Sequence, residues 1–112
     1  MVIVRVSDGT NTDDQTITVT ITDVNEFTPV ITSNGGGATA ALAVAENLLP
    51  VTTITATDDD GSAVLTYSKS GADAALFSIN STSGVLTFLS GQDYENPAHI
   101  GNTLTVIVAV SD

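Results

Sequence analysis

Cysteine and tryptophan are absent from this 112-residue chain, and only Arg5 and Lys69 carry a fixed positive charge. The missing cysteine removes disulfides, thiol nucleophiles and thiolate zinc sites together, and leaves the redox compartment open. With aromatics at 4%, any core must be built from Val, Ile, Leu and Ala. Phosphate binding needs clustered Lys and Arg, so two isolated cations argue against nucleic acid as a partner. Anionic membrane surfaces are excluded in the same way. No apolar run approaches the roughly 20 residues of a spanning helix, so membrane insertion is not expected. The start lacks a basic region followed by an apolar stretch, so Met1 reads as a fragment start with any signal sequence outside the chain.

What is present is acid and β-branched residues: 13 Asp and Glu give a net charge of -11, and Thr and Val number eighteen and thirteen. The length fits one domain, or one domain plus a fragment, and suffices to bury a core. β-Branched side chains pack well on a pleated sheet and fit helices poorly, so the chain should be nearly all β. Over residues 16–22 Ile17, Val19 and Ile21 alternate with four threonines, the pattern of a half-buried strand. Alternation recurs at residues 2–6, 42–45, 51–57, 64–67, 85–89 and 104–110, each bounded by Gly, Asp, Asn or Ser. Seven or eight short strands so punctuated point to a β-sandwich. Ser83-Gly84 reads as a hairpin turn between residues 77–79 and 85–88, Gly35-Gly36-Gly37 as a flexible loop, and residues 72–76 as a single helical turn.

The segment Val2-Ile3-Val4-Arg5-Val6-Ser7-Asp8 returns as Val106-Ile107-Val108-Ala109-Val110-Ser111-Asp112, an offset of 104 residues. That period is too long for a solenoid unit and fits one whole sandwich domain in a tandem array. Residues 1–26 are then the last strands and linker of one repeat, and residues 27–112 a domain lacking its final strand.

The acidic residues fall at strand ends: Asp8, Asp23 with Glu26, Glu46, Asp58-Asp59-Asp60, Asp93 with Glu95, and Asp112. Two carboxylates about 5 Å apart repel by roughly 3 kcal/mol at an effective dielectric of 20, so clustering them calls for a cation. Oxygen-rich, nitrogen-poor clusters suit Ca²⁺, which takes six to eight oxygens, better than Mg²⁺, which keeps its water and demands octahedral geometry. An EF-hand opening at Asp58 is excluded, because its twelfth position holds Lys69 where Glu is needed. Three consecutive aspartates alone also describe a solvated turn.

Five motifs in order resemble a cadherin repeat of the bacterial, cadherin-like type. Asp23-Val24-Asn25-Glu26-Phe27-Thr28-Pro29 is similar to the Asp-x-Asn-Asp-Asn-x-Pro linker, with Glu for the second Asp and Phe for the second Asn. Asp58-Asp59-Asp60 resembles the Asp-x-Asp motif, Asp93-Tyr94-Glu95 the Asp-Arg-Glu motif with Tyr for Arg, and Glu46 the early Glu. Asp8 and Asp112 match the x-Asp-x motif. The resemblance covers the whole chain and implies an immunoglobulin-like Greek-key β-sandwich of about seven strands, with Ca²⁺ between consecutive domains. It implies that Glu46, Asp93 and Glu95 serve the lower pole, and Asp58, Asp60 and Asp112 the upper pole. Glu26 would bridge two ions, Asn25 would bind a third by its side chain, and Val24 and Phe27 would offer carbonyls. The Glu26 arm is longer than the family's Asp, which alters the bridging geometry. Asp8 belongs to the truncated repeat.

A domain ending at Asp112 leaves the edge of its last strand open, and open apolar edges invite a partner. The linker of about six residues reaches at most roughly 21 Å, against about 26 Å for an eight-residue strand. Residues 1–26 are therefore expected either to complete the sheet of another molecule as a strand-exchanged oligomer or to form a disordered tail. His99 has no neighbouring nucleophile or second nitrogen ligand and is a solvated loop residue. Asp93 and Glu95 lack the aromatic platforms of a sugar-cleaving site, and Asn80-Ser81-Thr82 is a glycosylation sequon with meaning only in a secreted eukaryotic protein. The expected function is a non-enzymatic, calcium-binding adhesion repeat of a secreted or cell-surface protein, whose partners are neighbouring repeats or like molecules. The alternative is a carbohydrate-binding or spacer module attached to an extracellular enzyme.

Overall fold

A two-stranded ribbon opens the chain: β1 (Val2–Ser7) runs antiparallel to β2 (Thr12–Ile17), with Val2 opposite Ile17 and Ser7 opposite Thr12. A computed structural model describes residues 1–96 and 102–112, and His99 lies outside them. The ribbon turns on Asp8, whose Oδ1 accepts the backbone N–H groups of Thr10 and Asn11 at 2.9 and 2.8 Å. Gly9 supplies the left-handed residue that the turn needs, at φ 96°. Arg5 grips Asp14 across the ladder with two hydrogen bonds of 2.7 and 2.8 Å. No other strand joins this ribbon among the described residues, and all twelve of its strand residues are exposed.

The expected strand at residues 16–22 is thus found earlier, at Thr12–Ile17, and residues 18–29 belong to no strand. Alternation alone does not make a strand; the turn at Asp8 fixes the register, and pairing stops where β1 ends. The expected strand at 42–45 is likewise irregular.

Seven further strands follow among the described residues: β3 (Val30–Ile31), β4 (Pro50–Thr53), β5 (Ala56–Thr57), β6 (Thr66–Ser70), β7 (Phe77–Ile79), β8 (Val85–Phe88) and β9 (Ile107–Ser111). All their pairings are antiparallel: β3 with β5, β4 with β8, β8 with β7, and β6 with β9. The expected strand at 51–57 is split into β4 and β5. The short β3, which follows Pro29, was not expected from the pattern. A single 3₁₀ turn, Ala74–Leu76, stands where helical character was expected. The protein is all β.

The turn at Ser83-Gly84 joins β7 to β8 as expected. Asn80 Oδ1 accepts the N–H groups of Thr82 and Ser83, both at 2.9 Å, and Gly84 adopts φ 74°. Ile54, Tyr67, Phe77 and Leu86 are the buried apolar side chains, and the Phe77 and Phe88 rings lie 4.8 Å apart between centroids. The core is small, as a chain poor in aromatics requires.

The molecule measures 95 × 23 × 19 Å, and its radius of gyration of 25.6 Å is about twice the roughly 13 Å of a compact chain of this length. The β1–β2 ribbon and the irregular residues after it account for the elongation.

Candidate metal centre

β4 and β5 run one after the other, so the residues before β4 and those after β5 fall at opposite ends of that run. Glu46 precedes it and Asp58-Asp59-Asp60 follow it. β9 lies beside β6 with Ser111 opposite Thr66, which brings Asp112 to the end where the 58–63 turn leads into β6. Two separate carboxylate groups result, and in each the oxygens lie within 4.8 Å of one another: Asp58, Asp60 and Asp112, and Glu46, Asp93 and Glu95.

The first group is partly enclosed. Asp60 is buried, and its Oδ2 accepts the backbone N–H groups of Glu26 and Phe27 at 3.0 and 2.9 Å. Asp58 Oδ1 accepts the Asp60 N–H at 2.8 Å, which folds the acidic turn onto itself. Asp58 Oδ2 is buried and has no hydrogen-bond partner. A buried acceptor left bare costs about 1–3 kcal/mol, and more when charged. Asp23, Asn25, Asp60, Ser62 and Asp112 line a cleft of about 380 Å³ at this end. Asn25 and Asp112 therefore face the same space as Asp60.

The second group is exposed throughout. Glu46 Oε2 accepts the Tyr94 N–H at 2.9 Å and Asp93 Oδ1 the Glu95 N–H at 3.0 Å, so backbone amides hold the carboxylates in place. The Glu95 N–H lowers its carboxyl, but hydrogen bonding with Asp93 and the charge of Glu46 outweigh it and hold the group above the ordinary carboxylate range. Crowded negative charge of this kind is what a cation relieves.

Both protein cations are committed elsewhere. Arg5 is paired with Asp14, and Lys69 Nζ donates to the Ala74 and Phe77 carbonyls, both at 2.7 Å. Neither group has a lysine or arginine to balance it among the described residues. The donor set is all oxygen, and one enclosed oxygen is unpartnered, so the first group fits a hard divalent cation.

Asp8 joins neither group; it caps the ribbon turn, and the Asn11 and Thr10 N–H groups hold its carboxyl below the ordinary range. The Glu26 backbone meets Asp60. Asp23 and Ser62 were not singled out from the sequence as site residues, yet the Ser62 hydroxyl donates to Asp23 Oδ2 at 3.2 Å on the wall of the cleft. The place of Asp23 at the head of the linker motif was the available signal.

No family model fits the chain, and no curated protein matches it.

Proposed function

We propose that this chain is a non-enzymatic, calcium-binding, cadherin-like adhesion module of a secreted or cell-surface protein. In this reading residues 27–112 form an immunoglobulin-like Greek-key sandwich, and residues 1–26 belong to the repeat before it. Asp58, Asp60 and Asp112, with Asn25 and Glu26 from the linker, would hold Ca²⁺ at the junction, and Glu46, Asp93 and Glu95 would serve the far pole. Bound calcium would tie residues 23–26 to the acidic turn and stiffen the joint between repeats.

The observation that carries the reading is Asp58 Oδ2: a buried carboxylate oxygen with no protein partner, grouped with Asp60 and Asp112 beside the linker. A cation is the partner that satisfies it. Asp60 already clips the linker backbone, so the residues that bind the ion also set the angle of the joint.

Calorimetric titration of Ca²⁺ into the full chain and into Asp58→Asn tests this. The wild type should bind in the roughly 10⁻⁴ to 10⁻³ M range of extracellular modules. At about 10 mM calcium that binding stabilises the fold by about 1–3 kcal/mol, which chelation removes. Equal heats from the two proteins would overturn the assignment.

A further inference from the structure

The chain leaves β3 through a tight turn at residues 33–36, closed by the Gly36 N–H donating to the Ser33 carbonyl at 3.0 Å. Asn34 and Gly35 are its two central residues, and both stand at positive φ, 53° and 88°. That backbone selects an Asn-Gly pair, because asparagine tolerates the left-handed region and glycine has no Cβ to oppose it. The same pair is chemically labile. A backbone nitrogen can attack the side-chain carbonyl of the asparagine before it, and glycine is the residue that obstructs this ring closure least. Of the seven asparagines, Asn34 alone precedes a glycine.

We propose that Asn34 is a site of spontaneous covalent modification, converted through a cyclic imide to aspartate or isoaspartate, with the Thr52 hydroxyl stabilising the oxyanion of ring closure. The Gly35 nitrogen gives up its proton and bonds to Asn34 Cγ, the Cγ–Nδ2 bond breaks, and Nδ2 leaves as ammonia with that proton. Water then adds to one of the two imide carbonyls. Opening at Cγ leaves aspartate, and opening at the main-chain carbonyl leaves isoaspartate, whose backbone runs through Cβ and Cγ. Nothing is oxidised or reduced, and water is the sole co-reactant.

The reacting groups are open to attack. Asn34 and Gly35 are exposed, and nothing lies within 4 Å of where a Gly35 Cβ would stand. Among the described residues neither the Gly35 N–H nor the Asn34 Nδ2 amide donates a hydrogen bond, so nucleophile and leaving group are both unencumbered. The carbonyl under attack is the group that is held: Thr52, half-buried on β4, donates its hydroxyl to Asn34 Oδ1 at 3.1 Å. That oxygen takes the negative charge when Cγ becomes tetrahedral, and a donor already in place stabilises it there. Two aspartates also precede glycines, at Asp8-Gly9 and Asp60-Gly61, and both are blocked. Asp8 Oδ1 accepts the Thr10 and Asn11 N–H groups, which keep its carboxyl ionised and a poor electrophile. Asp60 is buried, with Oδ2 fastened to the Glu26 and Phe27 amides. The product matters to the fold, because isoaspartate adds a backbone carbon inside the closed turn. Next to it the Thr55 N–H donates to Ser33 Oγ and the Thr32 N–H to the Thr55 carbonyl, so an opened turn loosens the contact that holds β3 to the chain entering β5.

This inference uses no residue of either carboxylate group, so calcium binding and modification fail independently. The freshly purified full chain is held for weeks in warm, mildly alkaline buffer. Samples are followed by peptide mass mapping and by methyl transfer from S-adenosylmethionine with an isoaspartate methyltransferase. The peptide holding Asn34 should gain the mass of an amide exchanged for a hydroxyl, and should become a methyl acceptor. Asn34→Gly tolerates the same positive φ and should show neither signal at this turn. Thr52→Val should slow the conversion by about two- to tenfold, the equivalent of one ordinary hydrogen bond, whereas Thr52→Ser should keep the wild-type rate. An unchanged Asn34 peptide, or methyl acceptance undiminished in Asn34→Gly, overturns the site. A Thr52→Val rate equal to or above that of the wild type overturns the part given to Thr52.

Discussion

Asp60 Oδ2 accepts the Phe27 backbone N–H at 2.9 Å across 33 positions of sequence, and the neighbouring Glu26 N–H reaches the same oxygen. One buried carboxylate thus closes the start of the domain onto its acidic turn. The oxygen is saturated by amides, while Asp58 in the same turn keeps one oxygen bare. Asp60 thus fastens the chain, while Asp58 keeps an acceptor free beside it.

Removing the fastening should therefore be visible without any metal. In chelator, Asp60→Ala should lower stability by about 2–4 kcal/mol, since hydrogen bonds to a charged group contribute about 1.5–3 kcal/mol each. Asp60→Asn keeps one acceptor oxygen and should lose less. Thermal unfolding followed by circular dichroism checks both. A chelator-treated Asp60→Ala protein that melts with the wild type would mean the linker is held by other contacts.

The exposed trio of Glu46, Asp93 and Glu95 makes a prediction about pH. The folded Glu95 carboxyl holds its proton more tightly than the unfolded one. Its contribution is therefore present at acid pH and lost as pH rises through the folded value. Asp8 and Asp14 act oppositely: amides and Arg5 hold their carboxyls low, and their contribution is lost as pH falls through the folded values. In chelator, Glu46→Gln should gain on the wild type in melting temperature as pH climbs from the carboxylate range to neutrality. Excess calcium should cancel or invert the gain. Parallel pH curves for the two proteins would remove the trio from consideration.

Gly84 marks the most constrained point of the core. Its φ of 74° disfavours other residues, a Cβ there would collide with the Ile54 carbonyl, and the Gly84 carbonyl accepts the Ile54 N–H at 2.8 Å. Gly84→Ala should cost roughly 2–4 kcal/mol, the sum of left-handed strain and a displaced strand edge. Denaturant unfolding measures it. Gly61→Ala, which meets nothing within 4 Å, is the control and should unfold with the wild type.

How much of this was legible in the sequence follows from what each element depends on. β1, β7 and β8 are found close to where alternation set them, because their partners lie one short turn away. The alternation at residues 42–45 and 18–22 is as good, yet neither is a strand; a pleated segment needs an edge to bind, and no local pattern reports which edge is free. The site shows the same split. Motif order put Asp58, Asp60 and Asp112 forward as an expectation, and the fold brings their carboxylates together, whereas the amides that saturate Asp60 and the bare oxygen of Asp58 emerge only from the folded chain. Lys69 carries the same lesson: sequence shows a lone cation in an acidic protein, and the fold spends it on two carbonyls.

That use of Lys69 gives the last prediction. Its ammonium donates to Ala74 and Phe77, at the start and just beyond the end of the 3₁₀ turn, and so holds the turn against β6. Lys69→Met keeps the aliphatic stem and removes both donors, and should destabilise the protein by about 1.5–3 kcal/mol. Arg5→Met removes a bidentate pair of similar length, but both partners there are largely exposed, at 62% and 41%. Exposed pairs contribute little to stability and are screened by salt. The two substitutions change net charge equally, so a general effect of charge would shift both proteins together. The expected result is a large, salt-insensitive loss for Lys69→Met and a small loss for Arg5→Met that vanishes in about 1 M salt. Equal losses at both positions would show that net charge, and not the carbonyl contacts, sets the contribution of Lys69.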